Sequence, residues 1–243
     1  MSYFTLGKID AIDSTNEELK RRYKLEKIVH GDILWALDQT KGKGQRAANW
    51  VSQPSKNITF SIFLSQKELQ LASPFQLNCL VAMAIESALN NLDIPSVKIK
   101  WPNDILSANK KIAGILIENL YRGSQLNASI VGIGLNVNQE NFIDLPHASS
   151  MKLCGGVSYE LEQVLDTILV ELESKFTIKE GFETTLHTFA QNLYGFGEQL
   201  NFHYQNKPIV GTIRGVMPDG RLILAHPNGE VKNYNFKEIH LVY

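Results

Sequence analysis

The chain has 243 residues, is 44% hydrophobic and carries a formal net charge of -1, enough for one good-sized core with a small appended module, and its charge balance argues against a broad nucleic-acid footprint or a charged tail. Two cysteines, Cys79 and Cys154, argue against a disulfide scaffold and suit a reducing cytosol. No basic segment followed by an apolar stretch opens the chain, and no apolar run approaches the roughly 20 residues of a membrane span, so a cytoplasmic protein without a membrane contact is expected.

In chain order, "DSTNEELKRRY" from Asp13 reads as a helix start, with Ser14 and Glu17 at capping-box spacing. Residues 32–38 read as a buried strand. The stretch "TKGKGQRAANWVSQPSKN" is a long loop rich in glycine and lysine, and long loops in compact domains are often functional. Residues 58–64, "ITFSIFL", alternate as a strand does. A helix begins at Ser73-Pro74, with Leu77, Leu80, Val81, Ala84, Ile85, Ala88 and Leu89 facing a core and Cys79 among them. Strands are expected at 97–101, 112–118 and 128–137, the first two joined as a hairpin by a polar turn. Two amphipathic helices follow, one carrying Leu161, Leu165, Ile168, Leu172 and Phe176, the other Phe182, Leu186, Phe189 and Leu193. Past Gly195–Gly197, five short strands separated by "QNKP", "MPDG" and "HPNG" predict a small closed or nearly closed barrel. The expected division is 1–194 and 195–243.

Four stretches concentrate chemistry. In "GKGQRAANW", Gly42 and Gly44 let backbone amides approach a bound group, and Lys41, Lys43 and Arg46 add positive charge. This suits an anion clamp, the alternative being a solvated surface loop. It is not a Walker loop, because the spacing differs and Lys43 precedes glycine. In "KWPNDIL", Pro102 ends a strand and leaves Asn103 and Asp104 at its tip, as site residues or as an Asx turn. Lys111 adjoins an apolar strand and needs a negative partner, either Asp104 across the hairpin or a bound anion, whereas Lys110 faces water. Gly114, Gly132 and Gly134 interrupt apolar strands and mark either a close ligand approach or a bulge. No metal-ligand spacing of histidines occurs, and no nucleophile elbow or CxxC.

Together "DSTN" (13–16), "QTKGKGQRAANW" (39–50), "KWPNDI" (100–105), "KIAGILIE" (111–118) and "GIGLNVN" (132–138) stand in the order seen in biotin protein ligases, which the chain resembles over residues 10–140 and, through the small barrel, to its end. The resemblance implies an α+β fold: a mixed sheet flanked by helices, related to class II aminoacyl-tRNA synthetases, with an SH3-like C-terminal barrel. It implies that biotin, ATP and Mg2+ give biotinyl-5′-AMP and pyrophosphate, and that a lysine of a biotin carboxyl carrier domain then takes the biotinyl group. Magnesium arrives on ATP, with no metal ligand from the protein.

By the same resemblance Ser14, Thr15, Asn16 and Gln39 contact biotin, as do Gly42, Lys43, Gly44 and Gln45 of the loop. Lys111 stands beside the biotin carboxylate and the α-phosphate, and Gly114, Ile115, Gly132 and Gly134 form the floor. Lys43, Gln45, Arg46, Trp50, Lys100, Asn103, Lys111 and Asn136 serve ATP, with Trp50 and Asn136 at adenine. Lys111, Asp104, Arg46 and Lys43 carry the catalysis, Asp104 either orienting Lys111 or assisting the acceptor amine.

Two departures matter. The family loop reads Gly-Arg-Gly-Arg-Arg-Gly, whereas here Gln45 and Ala47 replace its second arginine and third glycine. Arg46 is then expected to be the main loop cation, with readier escape of the adenylate. The "DSTN" motif begins at residue 13, so no N-terminal winged helix and no sequence-specific DNA binding are expected. Members are monomers or homodimers. The competing readings are a lipoate ligase or lipoyl/octanoyl transferase, and a non-catalytic biotin sensor.

Overall fold

Seven strands between residues 5 and 135 build a mixed sheet, most of them apolar runs. Its strands are β1 (Thr5–Ile12), β2 (Asp32–Gln39), β3 (Ile58–Ser65), β4 (Val97–Lys100), β5 (Asp104–Ser107), β6 (Lys110–Arg122) and β7 (Gln125–Leu135). They lie in the order β1-β2-β3-β7-β6-β5-β4, with β1 parallel to β2 and the other neighbours antiparallel. The structure is a computed structural model that describes residues 3–45, 48–178, 180–236 and 238–242.

The two sheet faces bury different partners. On one lies α3 (Pro74–Asn91), where Leu77, Leu80, Val81, Ala84, Ile85, Ala88 and Leu89 are buried with Ile58, Phe60 and Ile62, and α5 (Leu161–Thr177) and α6 (Phe182–Gln191) close over it. Ser73 caps α3 by accepting from the Gln76 amide, and the Gln76 side chain returns to the Ala72 amide. On the opposite face α1 (Thr15–Lys24) sets Leu19 against Leu34, Phe63 and Ile130. Strand β3 is therefore buried on both sides. The polar half of its alternation, Thr59 and Ser61, meets not water but the α1 side of the sheet.

Past α6 the chain turns through Gly195 and Gly197, both at positive φ, into a five-stranded antiparallel sheet. Its strands are β8 (Gln199–Tyr204), β9 (Lys207–Val216), β10 (Leu222–Ala225), β11 (Val231–Tyr234) and β12 (Ile239–Leu241), ordered β11-β10-β9-β8-β12. A register shift falls at Ile223/Leu224, and Phe202, Ile213, Leu222, Leu224 and Ile239 are among its buried apolar residues, consistent with the SH3-like arrangement expected.

Three sequence expectations are corrected. The polar turn after β4 contains a strand, β5, so the expected hairpin is a three-stranded meander. Strand β1, an edge strand with most residues exposed, carries no apolar alternation and was not foreseen, nor were the short helices α2 (Gln66–Leu69) and α4 (Met151–Gly155). The Ser14 side chain makes no cap bond to α1; its carbonyl accepts from the Glu18 amide instead, and its own amide goes to Asp13.

Candidate functional site

Cross-strand register brings the glycines together. Thr59, Gly134, Gly114 and Asp104 are successive partners across β3, β7, β6 and β5, and Ser61, Gly132 and Leu116 form the next row on the same face. The ladder is regular at Gly132 and Gly134, so neither is a bulge. The two lie in a cleft lined by α1 and by the loop that follows β2.

Lys111 reaches this face through a bulge elsewhere. Residues three apart on a regular strand point to opposite faces, yet the Lys111 ammonium lies 3.3 Å from where a Gly114 side chain would begin. The register skips Ile112, pairing Ile105 with Ala113 and Leu106 with Lys111, which turns Lys111 to the Gly114 side. The Lys111 amide and carbonyl are held by His147 and Ser149, and the freed Ile112 carbonyl accepts from the Asn136 amide. Lys111 Nζ donates to Asp104 Oδ1 at 2.6 Å, one of the two partners the sequence left open. Lys100 stands beside this pair, and its pKa is lowered by burial and by the Lys111 charge, with Asp104 opposing.

The "DSTN" stretch closes the other end. Asp13 accepts from the Ser14 amide and from Nη1 and Nη2 of Arg21, which hold its carboxyl well below the usual range and fix the start of α1. Gln39 Oε1 accepts from the Thr15 amide at 2.7 Å, and Thr15 Oγ1 lies 2.6 Å from Ser61 Oγ. Ser61 donates to Asn16 Oδ1, and Asn16 Nδ2 donates to Glu118 Oε2 at 2.8 Å. The absence of a side chain at Gly132 makes room for the Asn16 carboxamide, whose Cγ lies 3.0 Å from the position a Cβ would take. Ser14, Thr15 and Asn16 are all buried and line the cleft.

The loop supplies the lid. Gly44 donates to Ala48, Trp50 donates to Gly42, and Lys43 bridges Asn49, making a hairpin. A Cβ at Gly42 would meet the Trp50 carbonyl at 2.5 Å, so glycine serves the hairpin there. The flat group lying in the strand notches is the Trp50 indole. A Cβ at Gly134 would stand 2.6 Å from its Cζ2, and one at Gly114 3.1 Å from its Cζ3. The buried Trp50 Nε1 and Asn136 Oδ1 have no hydrogen-bond partner, while Asn136 Nδ2 donates to the Ser149 carbonyl.

Of the residues singled out from the sequence, Ser14, Thr15, Asn16, Gln39, Lys43, Gly44, Gln45, Trp50, Asn103, Lys111, Gly114, Ile115, Gly132 and Gly134 line this one cleft. Asp104 and Lys100 line an adjoining pocket against the C-terminal sheet, which Gln45 also borders. Asn136 lies beyond Gly134 at the end of β7, and Gly42 lies at the stem of the hairpin. The Lys43 ammonium is turned to Glu17 at 2.7 Å. Asn103 forms no Asx turn among its described bonds but clasps Ile115, its Nδ2 on the Ile115 carbonyl and its own carbonyl on the Ile115 amide. Arg46 and Ala47 fall outside the described residues. Sequence reading passed over Ser61 and Glu118, which orient Asn16. A serine in an apolar strand was the signal for Ser61.

A model of the biotin/lipoate A/B protein ligase family matches residues 8–136. The bifunctional ligase/repressor BirA of Bacillus subtilis (strain 168) is 29% identical over 212 residues, covering 84% of this chain and 65% of the relative, so the chain spans about two-thirds of that relative's length. The biotin--[acetyl-CoA-carboxylase] ligase of Mycobacterium tuberculosis is 27% identical over 216 residues, 87% of this chain and 79% of the relative. The structure of a biotin protein ligase from Aquifex aeolicus in complex with biotin and ATP superposes with a TM-score of 0.82 at 27% identity, covering 98% of each chain. With more than half of its length matched, the chain belongs to the biotin/lipoate A/B protein ligase family.

Proposed function

We propose that the chain activates biotin with ATP as biotinyl-5′-AMP and transfers the biotinyl group to a lysine of a biotin carboxyl carrier domain. The observation that carries this reading is the cleft into which five separated stretches converge, lined by Lys111, whose ammonium is paired with Asp104, and by a buried hydrogen-bond network around Asn16. Related proteins named for biotin ligation, and one solved with biotin and ATP, support it.

In this reading Thr15, Asn16, Gln39 and Ser61 hold the polar ring of biotin, and its carboxylate lies toward Lys111. A carboxylate oxygen attacks the α-phosphorus, the bond to the β-phosphate oxygen breaks, and pyrophosphate leaves. Negative charge builds on the α-phosphate, where Lys111 and the loop amides stabilise it in a site shielded from water. The orphaned acceptor of Asn136 suits the amino group of adenine, and Trp50 forms the wall beside it. Magnesium is taken to arrive on the triphosphate, as the family resemblance implies. In the second step the acceptor amine attacks the acyl carbon, the bond to AMP breaks, and the amine's proton leaves toward Asp104, which already fixes Lys111. Positioning supplies most of that step's acceleration.

No helix among the described residues is long and apolar enough to cross a membrane. The test is ATP–pyrophosphate exchange dependent on biotin, run against lipoate and octanoate. Exchange with biotin is expected. Exchange with lipoate alone would assign the site to lipoyl chemistry, and binding of biotin without exchange would make the chain a sensor.

A further inference from the structure

Lys43, Gly44, Gln45 and Trp50 of the hairpin line the cleft, as do Thr15 and Asn16 in the first turn of α1. Among the described residues one ion pair joins them. Lys43 Nζ donates to Glu17 Oε1 at 2.7 Å, and Glu17 directly follows the cleft residue Asn16. The same Glu17 oxygen accepts from Lys20 Nζ at 2.9 Å, and Lys20 also donates to Glu118 Oε1 at 2.6 Å. Glu118 holds Asn16 through its other oxygen. The hairpin is thus tied, through Glu17, Lys20 and Glu118, to a side chain that lines the cleft. Because the hairpin is internally bonded, a hold on Lys43 is also a hold on Gly44, Gln45 and the Trp50 indole in its notch.

We infer that Glu17 is a positioning residue that straps the hairpin across the cleft through Lys43 and so retards escape of the acyl-adenylate made beneath it. This rests on the proposed function and gives Lys43 a different task from the phosphate contact expected from the sequence. Lys43 is half exposed and Glu17 28% exposed, so the strap is a modulator: a pair of this kind shifts an equilibrium by up to about fivefold.

The experiment compares wild type with Glu17→Gln, Lys43→Gln, the double variant and the exchanged pair Glu17→Lys/Lys43→Glu. Glu162→Gln, which breaks the Lys8–Glu162 pair outside the cleft, is the control. Two readouts are taken: release of biotinyl-AMP from preloaded protein, and amide hydrogen exchange of residues 42–50 in the protein alone, with thermal unfolding to establish that each variant folds. Either single variant is expected to speed release about two- to fivefold and to speed exchange in the loop. The double variant should be no worse than either single one, the exchanged pair should recover part of the loss, and the control should match wild type. The inference is overturned if Lys43→Gln slows adenylate formation while Glu17→Gln leaves release and exchange at wild-type values, or if the double variant shows the two effects added. Failure of wild type to form any adenylate would sink the proposed function, and loop exchange would still decide the strap.

Discussion

Replacing Gly132 and Gly134 in turn by alanine separates the two ends of the cleft. The residues are two apart on β7, share a face and border the same cleft, yet their new methyl groups meet different neighbours. At 132 the methyl displaces the buried Asn16 carboxamide, which exchanges hydrogen bonds with Ser61 and the Glu118 carboxylate. Losing one neutral and one charge-assisted bond costs about 2–4 kcal/mol together, or on the order of 10 °C in Tm for a chain of this size. Biotin affinity should fall with it. At 134 the methyl would stand 2.6 Å from Trp50 Cζ2 and 2.7 Å from Nε1, so the indole must leave its notch. That indole nitrogen has no partner to lose, and alanine is better than glycine in a strand by about 0.5–1 kcal/mol, so stability should hold within about 1 kcal/mol. The nucleotide wall moves by about an ångström, and kcat/KM for ATP should fall about 10- to 100-fold. Thermal unfolding with biotin titration and steady-state adenylation reads all four quantities. Equal destabilisation by the two variants, or wild-type ATP kinetics in Gly134→Ala, would refute the assignment of Asn16 to one end and Trp50 to the other.

Lys111→Met should fold and lose about 10²–10³ in the rate of pyrophosphate release; a rate within a few fold of wild type would remove Lys111 from the phosphate. Asp104→Asn separates its two roles: orientation of Lys111 requires both half-reactions to slow, whereas help to the acceptor amine requires that only transfer slow, which rapid-quench measurement of each step reports. Gly220→Ala places a methyl 2.7 Å from Phe75 and 2.9 Å from Phe236 at φ +92, where a side chain is already strained. It should lower stability by about 1–3 kcal/mol and, because the Gly220 carbonyl accepts from the Trp101 indole beside the Pro102–Asp104 turn, disturb transfer as well. For pH dependence, Asp13 and Glu17 have carboxyl pKa values depressed in the folded chain, by Arg21 and by Lys43 respectively. Their stabilisation is therefore present above the unfolded carboxylate range near about 4 and is lost as pH falls through the lower folded values. Asp13→Asn should flatten the acid limb of the stability curve slightly, since its ion pair is largely exposed.

Much of the site was legible because its residues are local departures from good strand and loop sequence: glycines inside apolar strands, a lysine beginning one, a proline ending another. These signals survive without knowledge of tertiary contacts. The three-residue offset between Lys111 and Gly114 was not legible as a shared face, because it depends on a bulge at Ile112 that leaves no mark in the sequence. The protein group that fills the glycine notches was not legible for a related reason. Glycine reports a close approach but not by what, and here the approaching group is Trp50, eighty-four residues before Gly134. In the fold, α3 declared itself by cap and period together. Strand β1 did not, since an edge strand with most of its residues in water has no apolar alternation to show, and β5 lay hidden in a stretch short and polar enough to read as a turn.

The central claim is that one cleft joins biotin to a protein lysine at the expense of ATP. Intact mass spectrometry of an isolated biotin carboxyl carrier domain, incubated with the protein, biotin and magnesium-ATP, tests it directly. The account predicts one added biotinyl group, absent without ATP and absent when the acceptor lysine is replaced by arginine. An unmodified carrier in the presence of all components, or a carrier that gains a lipoyl group instead when both acids are offered, would contradict it.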